Sequence, residues 1–260
     1  MYPLEIKGLV LGEGRPKVCV PILGKTEEEI IVQAEMIKNT PADLVELRAD
    51  SYEYVLDKDR LEMLLKKLKI VLNEIPLLFT FRTAAEGGER KITGKDYENL
   101  LTGVCQSGLC DIIDIEICLE GYPVSERVRR LVAMCHKHRI YVIASNHDFQ
   151  KTPEKSEIIR RLSVMDEAGA DILKIAVMPE NQKDVLTLLE ATEEMYNSGI
   201  NKPLVTMSMG SLGLISRLSG EIFGSAMTFG SALKASAPGQ MEAGQLTVIL
   251  DSIHNQNTSL

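Results

Sequence analysis

The sequence predicts a single (β/α)₈ barrel that spans residues 1–260. Eight short apolar runs, rich in β-branched residues, alternate along the chain with amphipathic helical patterns, and this alternation is typical of a parallel sheet covered by helices. No linker, change of composition or longer repeat divides the 260 residues, a length that one α/β barrel fills. An open, doubly wound sheet has the same β/α rhythm and is the alternative.

The predicted strands are continuous apolar runs rather than alternating ones, which favours strands that are buried on both faces of a sheet. They cover Val18–Leu23, Leu44–Leu47, Leu77–Phe81, Ile112–Ile117, Ile140–Ala144, Ile172–Val177, Leu204–Met207 and Ser225–Phe229. Before the first of them, Leu4–Leu11 is predicted as an extra short strand. A turn at Gly12-Glu13-Gly14 follows it, so we expect a hairpin with Lys17–Leu23.

The predicted helices fill the intervals between strands. The first begins at Thr26, with Glu29 three residues later, a spacing typical of a capping box. The full set is Thr26–Lys38, Lys58–Asn73, Gly94–Ser107, Ser125–Lys137, Pro153–Glu167, Asn181–Asn197, Gly213–Phe223 and a closing helix at Glu242–Asn255.

Composition excludes several classes of function. The chain has 29 Lys and Arg against 37 Asp and Glu, a net charge of −8, and no Trp or basic run, which argues against nucleic acid as a partner. A membrane span needs roughly 20 consecutive apolar residues, and runs such as Ile75–Phe81 are far shorter. With no secretory signal at the N-terminus, we expect a cytoplasmic protein with no membrane partner.

The five cysteines and four histidines show no zinc-binding spacing, so we expect reduced thiols and no metal.

Charged residues cluster at the predicted strand ends, which in a barrel point into the active-site mouth. Glu46 and Arg48 share a face of the second strand, and Asp114 and Glu116 share a face of the fourth. Arg82, Glu86, His147, Lys174, Arg217 and the Ser236–Gln240 turn complete the set. Each residue alone has a structural explanation, such as an ion pair. Their joint placement favours a functional site, because charges gathered in a cavity are costly.

Lys174 and His147 lie on neighbouring predicted strands and suit imine chemistry. Apolar walls and nearby cations disfavour the ammonium form of Lys174, which leaves an amine that can attack a ketone. The iminium that results makes an adjacent C–H acidic, and a histidine can remove that proton and return it to a leaving hydroxyl. The arginines indicate a small anionic substrate, since a guanidinium can bind a carboxylate through two hydrogen bonds.

Six segments together resemble the type I 3-dehydroquinase family. They are Val45-Glu-Leu-Arg-Ala-Asp50, Phe79-Thr-Phe-Arg-Thr-Ala-Ala-Glu-Gly-Gly88, Ser145-Asn-His-Asp148, Asp171-Ile-Leu-Lys-Ile-Ala-Val-Met-Pro179, Ile215-Ser-Arg217 and Ser236-Ala-Pro-Gly-Gln240. The resemblance implies a lyase that removes water from 3-dehydroquinate to give 3-dehydroshikimate, by syn elimination through an imine, in the shikimate pathway of aromatic amino-acid biosynthesis. It also implies a TIM barrel with a hairpin across its N-terminal end, a homodimer, and no cofactor.

The resemblance also implies a role for individual residues. Lys174 would form the Schiff base, His147 would be the general acid and base, and Glu86 would orient His147 or help to protonate it. Arg217 would hold the substrate carboxylate. The groups around the ring hydroxyls and the ketone would be Glu46, Arg48, Arg82, Ser236 and Gln240. Asp114 and Glu116 receive no firm role.

Two other functions stay open at this stage. A class I aldolase or transaldolase would share the strand-embedded Lys174, but it would also need a phosphate site after the last two strands, where Ser225–Gly230 offers little. A barrel that binds small carboxylates without catalysis would have little reason to keep Lys174, His147 and Glu86 together.

Overall fold

Eight parallel strands form a barrel in the computed structural model, which describes residues 3–117, 126–232 and 239–257. Two short strands come first, β1 (Leu4–Ile6) and β2 (Leu9–Leu11). The barrel strands are β3 (Lys17–Ile22), β4 (Leu44–Arg48), β5 (Leu77–Thr80), β6 (Ile112–Glu116), β7 (Tyr141–Asp148), β8 (Ile172–Val177), β9 (Leu204–Ser208) and β10 (Met227–Ser231). A two-residue strand, β11 (Met241–Glu242), pairs with β10. The predicted fold class is confirmed.

The sheet closes on itself. Each barrel strand from β3 to β8 pairs in parallel with the next, and β10 pairs with β3. Between β9 and β10 a single bridge joins Leu204 to Ser225, where the Ala226 N–H donates to the Leu204 carbonyl at 2.7 Å. All eight strands therefore point their C-terminal ends to one mouth.

The helices surround the barrel. They are α1 (Glu27–Ile37), α2 (Lys58–Leu72), α3 (Gly94–Ser107), α4 (Glu126–Lys137), α5 (Lys155–Glu167), α6 (Gln182–Asn197), α7 (Leu214–Leu218), α8 (Gly220–Phe223) and α9 (Ala243–Asn257). The Thr26 side chain caps α1 by accepting from the Glu29 N–H, and Asn181 and Asp184 form a capping box on α6. None of the helices within the described ranges is long and apolar enough to cross a membrane.

Both faces of the strands are buried, as their continuous apolar sequences predict. One set of side chains packs outward against the helices, for example Val20, Val45 and Leu47. The alternate set fills the N-terminal half of the barrel and includes Cys19, Leu44, Leu78, Ile112, Ile143, Ile172, Val205 and Met227. The cysteines of the described ranges, Cys19, Cys105, Cys110 and Cys135, are buried free thiols. Apolar packing thus fills one half of the barrel and leaves the other half for polar groups.

The N-terminal hairpin forms, but the predicted pairing of Leu4–Leu11 with Lys17–Leu23 is wrong. β1 and β2 pair with each other, and Lys17–Ile22 is the first barrel strand. The reversal lies at Lys7 and Gly8, whose φ angles are 49° and 79°, because a two-residue turn between antiparallel strands favours positive φ at both positions. Ile6 and Leu11 pack against the inner core, so the hairpin covers the N-terminal end of the barrel.

Two further predictions need correction. The single helix predicted at Gly213–Phe223 is two short helices, α7 and α8. Ser219 lies between them, and its hydroxyl donates to the Ile215 carbonyl, a local bond that competes with helix continuation. The fifth predicted strand stops at Ala144, whereas β7 continues to Asp148 and pairs with β8 along that extension.

Candidate active site

A cleft of about 470 Å³ opens at the C-terminal mouth of the barrel. Its lining contains every predicted site residue except Ser236, which lies outside the described residues. The charged and polar lining residues are Glu46, Arg48, Arg82, Glu86, His147, Lys174, Arg217 and Gln240. The remaining lining residues are Gly87, Phe149, Ala176, Met207, Met209 and Phe229, which the sequence analysis did not select. Met207 and Met209 lie two residues apart at the end of β9 and so share a face of that strand, a pattern from which these two lining residues could have been predicted.

A larger groove of about 830 Å³ lies on the outside of the barrel between α2 and α3. Its lining is mostly apolar, with Leu61, Leu65 and Leu100 among the contributors. Its described lining residues include one lysine, Lys58, but no histidine or arginine, so it does not have the set of basic groups that distinguishes the smaller cleft. We therefore assign the chemistry to the cleft at the barrel mouth.

Lys174 lies in β8 with only 3% of its surface exposed. Its Nζ is 3.3 Å from Asp114 Oδ2 and 3.9 Å from Glu46 Oε1, and it lies 4.6 Å from the centroid of the Phe229 ring. Thr80 Oγ1 donates to Glu46 Oε1 at 2.8 Å and fixes that carboxylate. The sequence predicts apolar walls and cations around this lysine. The structure adds two carboxylates, those of Asp114 and Glu46, within 4 Å of the lysine nitrogen.

His147 and Glu86 form a close pair beside Lys174. Strand pairing sets Ser145 against Lys174, so His147, two residues further on, lies on the same face of β7. His147 Nδ1 is 2.9 Å from Glu86 Oε2, and the His147 backbone N–H donates to the same oxygen at 2.9 Å. With Nδ1 bound to Glu86, proton exchange with a ligand falls to Nε2.

The surroundings shift the pKa values of His147 and Glu86 in opposite directions. Burial, followed by the charges of Arg82, Lys174 and Arg48, holds the pKa of His147 well below its usual value, so the imidazole is neutral at physiological pH. Burial and the negative charge of Glu116 raise the pKa of Glu86 to about 8. A neutral histidine beside a carboxyl that retains a proton near neutral pH can both accept and return a proton.

Arg82 lies in a buried network of carboxylates. Its Nη2 donates to Asp114 Oδ2 at 2.9 Å, and its Nη1 donates to Glu116 Oε1 at 2.8 Å. Burial opposes the charge of Arg82, but the surrounding carboxylates outweigh it and raise its pKa. Burial alone would raise the pKa of Asp114. The positive charges of Arg82 and Lys174 outweigh burial, so the pKa of Asp114 is lower than usual. Asp114 therefore joins two cations of the site, a role that the sequence did not reveal.

Two more arginines, Arg48 from β4 and Arg217 from α7, line the cleft. Arg48 donates through Nε and Nη2 to the two oxygens of Asp50, each at 3.0 Å, so its guanidinium is held in a fixed plane. Arg217 projects from α7, is 1% exposed, and has Nη1 3.7 Å from Met207 Sδ. Burial lowers its pKa to about 10, still high enough to keep the guanidinium charged at neutral pH.

A barrel whose mouth brings together a buried lysine, a neutral histidine and several fixed arginines is an enzyme built for small anionic compounds. Comparison with known proteins identifies the family. The pattern of type I 3-dehydroquinase matches residues 18–257. The chain therefore belongs to the type I 3-dehydroquinase family and is an enzyme of the lyase class.

Individual relatives agree across nearly the whole chain. A 3-dehydroquinate dehydratase from Bacillus licheniformis is 49% identical over 251 residues, which cover 96% of this chain and 97% of that protein. The crystal structure of a type I 3-dehydroquinate dehydratase from Clostridium difficile, with covalent modified comenic acid, has a TM-score of 0.94 at 46% identity and covers 98% of this chain and 100% of its own. A Geobacillus kaustophilus 3-dehydroquinate dehydratase has a TM-score of 0.93 at 33% identity, with 98% and 97% covered.

Proposed function

We propose that this protein dehydrates 3-dehydroquinate to 3-dehydroshikimate, a step of the shikimate pathway, through an imine on Lys174. The observation that carries the mechanism is the placement of buried Lys174 beside neutral His147 on adjacent strands of one cleft. Family membership supports the reaction. The solved Clostridium difficile relative, with its covalent modified comenic acid, supports covalent chemistry in this family.

The residues can be assigned to successive steps. The Lys174 nitrogen, which lies 3.3 Å from Asp114 Oδ2, attacks the substrate ketone, and the ketone oxygen leaves as water with two protons from that nitrogen, which gives an iminium. The iminium draws electrons from the neighbouring carbon, and His147 takes the proton released there. His147 then delivers a proton to the leaving hydroxyl, while Glu86 holds its ring. Hydrolysis of the imine frees the product and restores Lys174.

Substrate recognition follows from the charges of the cleft. Arg217, buried and cationic, binds the substrate carboxylate in this proposal. The ring hydroxyls and the ketone contact the other polar lining residues, which are Glu46, Arg48, Arg82 and Gln240, together with Ser236. Because Arg82 already binds Asp114 and Glu116, it acts mainly by fixing Asp114 beside the reacting lysine.

The remaining features of the proposal concern the molecule as a whole. Residues 1–260 form one domain, the protein is a homodimer, and it acts in the cytoplasm. The resemblance of the site motifs to the family supports these statements. Lys174 supplies the nucleophile, the iminium formed from it withdraws the electrons, and His147 supplies the base, so the proposed reaction requires no metal or cofactor.

Borohydride reduction in the presence of 3-dehydroquinate, followed by mass spectrometry of the digested protein, tests the proposal. We expect a mass increment on the peptide that contains Lys174. Lys174→Ala should lose both adduct and turnover, whereas Lys202→Ala, which removes a lysine paired with Asp166 far from the cleft, should keep both. His147→Ala should form the imine and accumulate it. An unmodified wild-type protein would contradict the imine mechanism and favour a barrel that only binds carboxylates.

A further inference from the structure

Asp50 is fully buried in the short turn that follows β4, and both of its carboxylate oxygens are occupied. Oδ1 accepts from Arg48 Nε at 3.0 Å and from the Arg82 backbone N–H at 3.3 Å. Oδ2 accepts from Arg48 Nη2 at 3.0 Å and from the Glu89 backbone N–H at 3.0 Å. One carboxylate therefore binds the side chain of an arginine in the cleft and two backbone N–H groups of the next loop, those of Arg82 and Glu89.

Arg82 and Glu89, whose N–H groups bind Asp50, are the two ends of the loop that carries Glu86. The loop follows β5 and runs from Arg82 to Glu89. It is closed internally, because the Thr83 carbonyl accepts from the N–H groups of Glu86 and Gly88 at 3.0 and 2.8 Å. Glu86 lies within this loop and contacts His147. The position of the Glu86 carboxylate thus depends on how the loop ends are held, and Asp50 holds both.

Gly88 lets the loop lie against Asp50. A Cβ at this position would lie 1.9 Å from the Arg82 carbonyl oxygen and 3.0 Å from Asp50 Oδ2, so a side chain could not be accommodated without moving the backbone. The close approach is therefore a specific feature of this loop, because it requires both glycine at position 88 and a carboxylate at position 50.

We propose that Asp50 is a positioning residue that holds Arg48 and the Glu86–His147 pair in fixed relation to each other. It does not line the described part of the cleft, so it acts through the groups it binds. Its bidentate bond sets the plane of the Arg48 guanidinium, and its two backbone bonds set the loop beneath Glu86. This assignment rests on the proposed function, since it concerns the geometry of that reaction.

The principal test replaces Asp50 by Asn, which keeps the shape of the side chain and removes its charge. We expect kcat/KM for 3-dehydroquinate to fall by about 10- to 100-fold, because small displacements of reacting groups cost rates of that order. KM should rise as Arg48 loses its fixed plane. The pH profile of kcat should move to lower pH, because a looser loop admits water to Glu86 and weakens the burial that raises its pKa.

Asp43→Asn is the matched control. Asp43 also binds an arginine with both oxygens, Arg15 at 2.7 and 3.3 Å, and accepts a backbone N–H from Val18 at 2.7 Å, but it lies at the opposite end of the barrel. It should lose comparable stability in thermal unfolding and keep the wild-type kcat, KM and pH profile. If Asp50→Asn behaved like Asp43→Asn in all three, Asp50 would be a structural anchor and the proposal would be wrong.

A second pair of variants keeps the test available if Asp50→Asn does not fold. Glu89→Pro removes the N–H that donates to Asp50 Oδ2 and leaves the Arg48–Asp50 bond in place. It should lower kcat more than it raises KM, whereas Glu89→Ala, which alters only an exposed side chain, should match wild type. Equal kinetics for Glu89→Pro and Glu89→Ala would overturn the role of Asp50 at the loop. Failure of the wild-type protein to form a trapped lysine would instead count against the proposed function.

Discussion

At the scale of single residues, the cleft places cations and carboxylates in alternation. Asp114 lies between Arg82 and Lys174, and Glu116 binds Arg82 from the other side. Each of these four buried charges has an opposite partner, which limits the cost of desolvating the four ionised groups together. Glu86 differs, because burial and Glu116 raise its pKa to about 8. The resting site therefore holds a labile proton at the carboxyl beside its histidine.

This raised pKa predicts a pH dependence of stability. Above the ordinary value of 4.5 the unfolded chain loses the Glu86 proton, whereas the folded protein keeps it up to about 8. Stability should therefore fall as pH rises through this window, at up to about 1.4 kcal/mol per pH unit. Glu86→Gln cannot ionise and should lose this slope. Urea unfolding between pH 7.5 and 8, where His147 is neutral in the folded protein and almost entirely neutral in the unfolded chain, measures the difference; parallel curves for the two proteins would contradict it.

Residue identities were predictable to different degrees. Lys174 and His147 could be selected from sequence because each interrupts or ends an apolar strand. Asp114 and Glu116 could be selected as charged residues at a strand end, but their contact with Arg82 could not be predicted, because it depends on the pairing of β6 with β5 and β7. Asp50 likewise follows Arg48 by two residues in sequence, but its bonds to the Glu86 loop depend on tertiary contact.

At the scale of elements, most strands and helices could be predicted because apolar runs and capping residues mark their limits. The exceptions involve local backbone geometry that composition does not specify. Lys7 and Gly8 form the hairpin turn without the Asn-Gly or Asp-Gly sequence that usually signals one. The end of β7 is polar, because Ser145, Asn146 and His147 bind buried partners. The apolar run in the sequence therefore ends before the strand does.

The connection from β9 to α7 gives a prediction at this scale. A Cβ at Gly213 would lie 2.1 Å from the Ser208 carbonyl oxygen, so Gly213→Ala must shift the first turn of α7 and with it Arg217. We expect a loss of about 1–3 kcal/mol in the free energy of unfolding and a rise in KM that exceeds the change in kcat. Steady-state kinetics and urea unfolding would measure both.

Gly103→Ala is the control for that substitution. Gly103 lies inside α3, and nothing lies within 4 Å of an added Cβ. Alanine there should stabilise the protein by about 0.5–1 kcal/mol, because it restricts the unfolded chain and suits a helix interior, while KM stays at its wild-type value. A KM for Gly213→Ala equal to that of Gly103→Ala would show that Arg217 does not depend on the α7 connection.

At the scale of the whole molecule, the barrel separates stability from chemistry along its axis. The N-terminal half is filled by apolar side chains and covered by the hairpin, and the C-terminal mouth holds the charged cleft. In barrels of this kind the residues at the N-terminal face serve stability and those at the C-terminal ends of strands serve catalysis. Changes in the hairpin should therefore alter the free energy of unfolding of the barrel and leave kcat and KM unchanged.

Leu11→Ala tests that separation. Leu11 is completely buried where the hairpin meets the inner core, so its truncation should cost about 2–5 kcal/mol of unfolding free energy through lost contacts and the cavity left behind. Leu9→Ala, at a partly buried position of the same hairpin, should cost less. Both variants should keep wild-type kcat and KM at temperatures where they remain folded, since the cleft lies at the far end of the barrel. A change in kcat or KM that grew with the loss of stability from Leu9→Ala to Leu11→Ala would show instead that hairpin packing extends its influence to the active-site mouth.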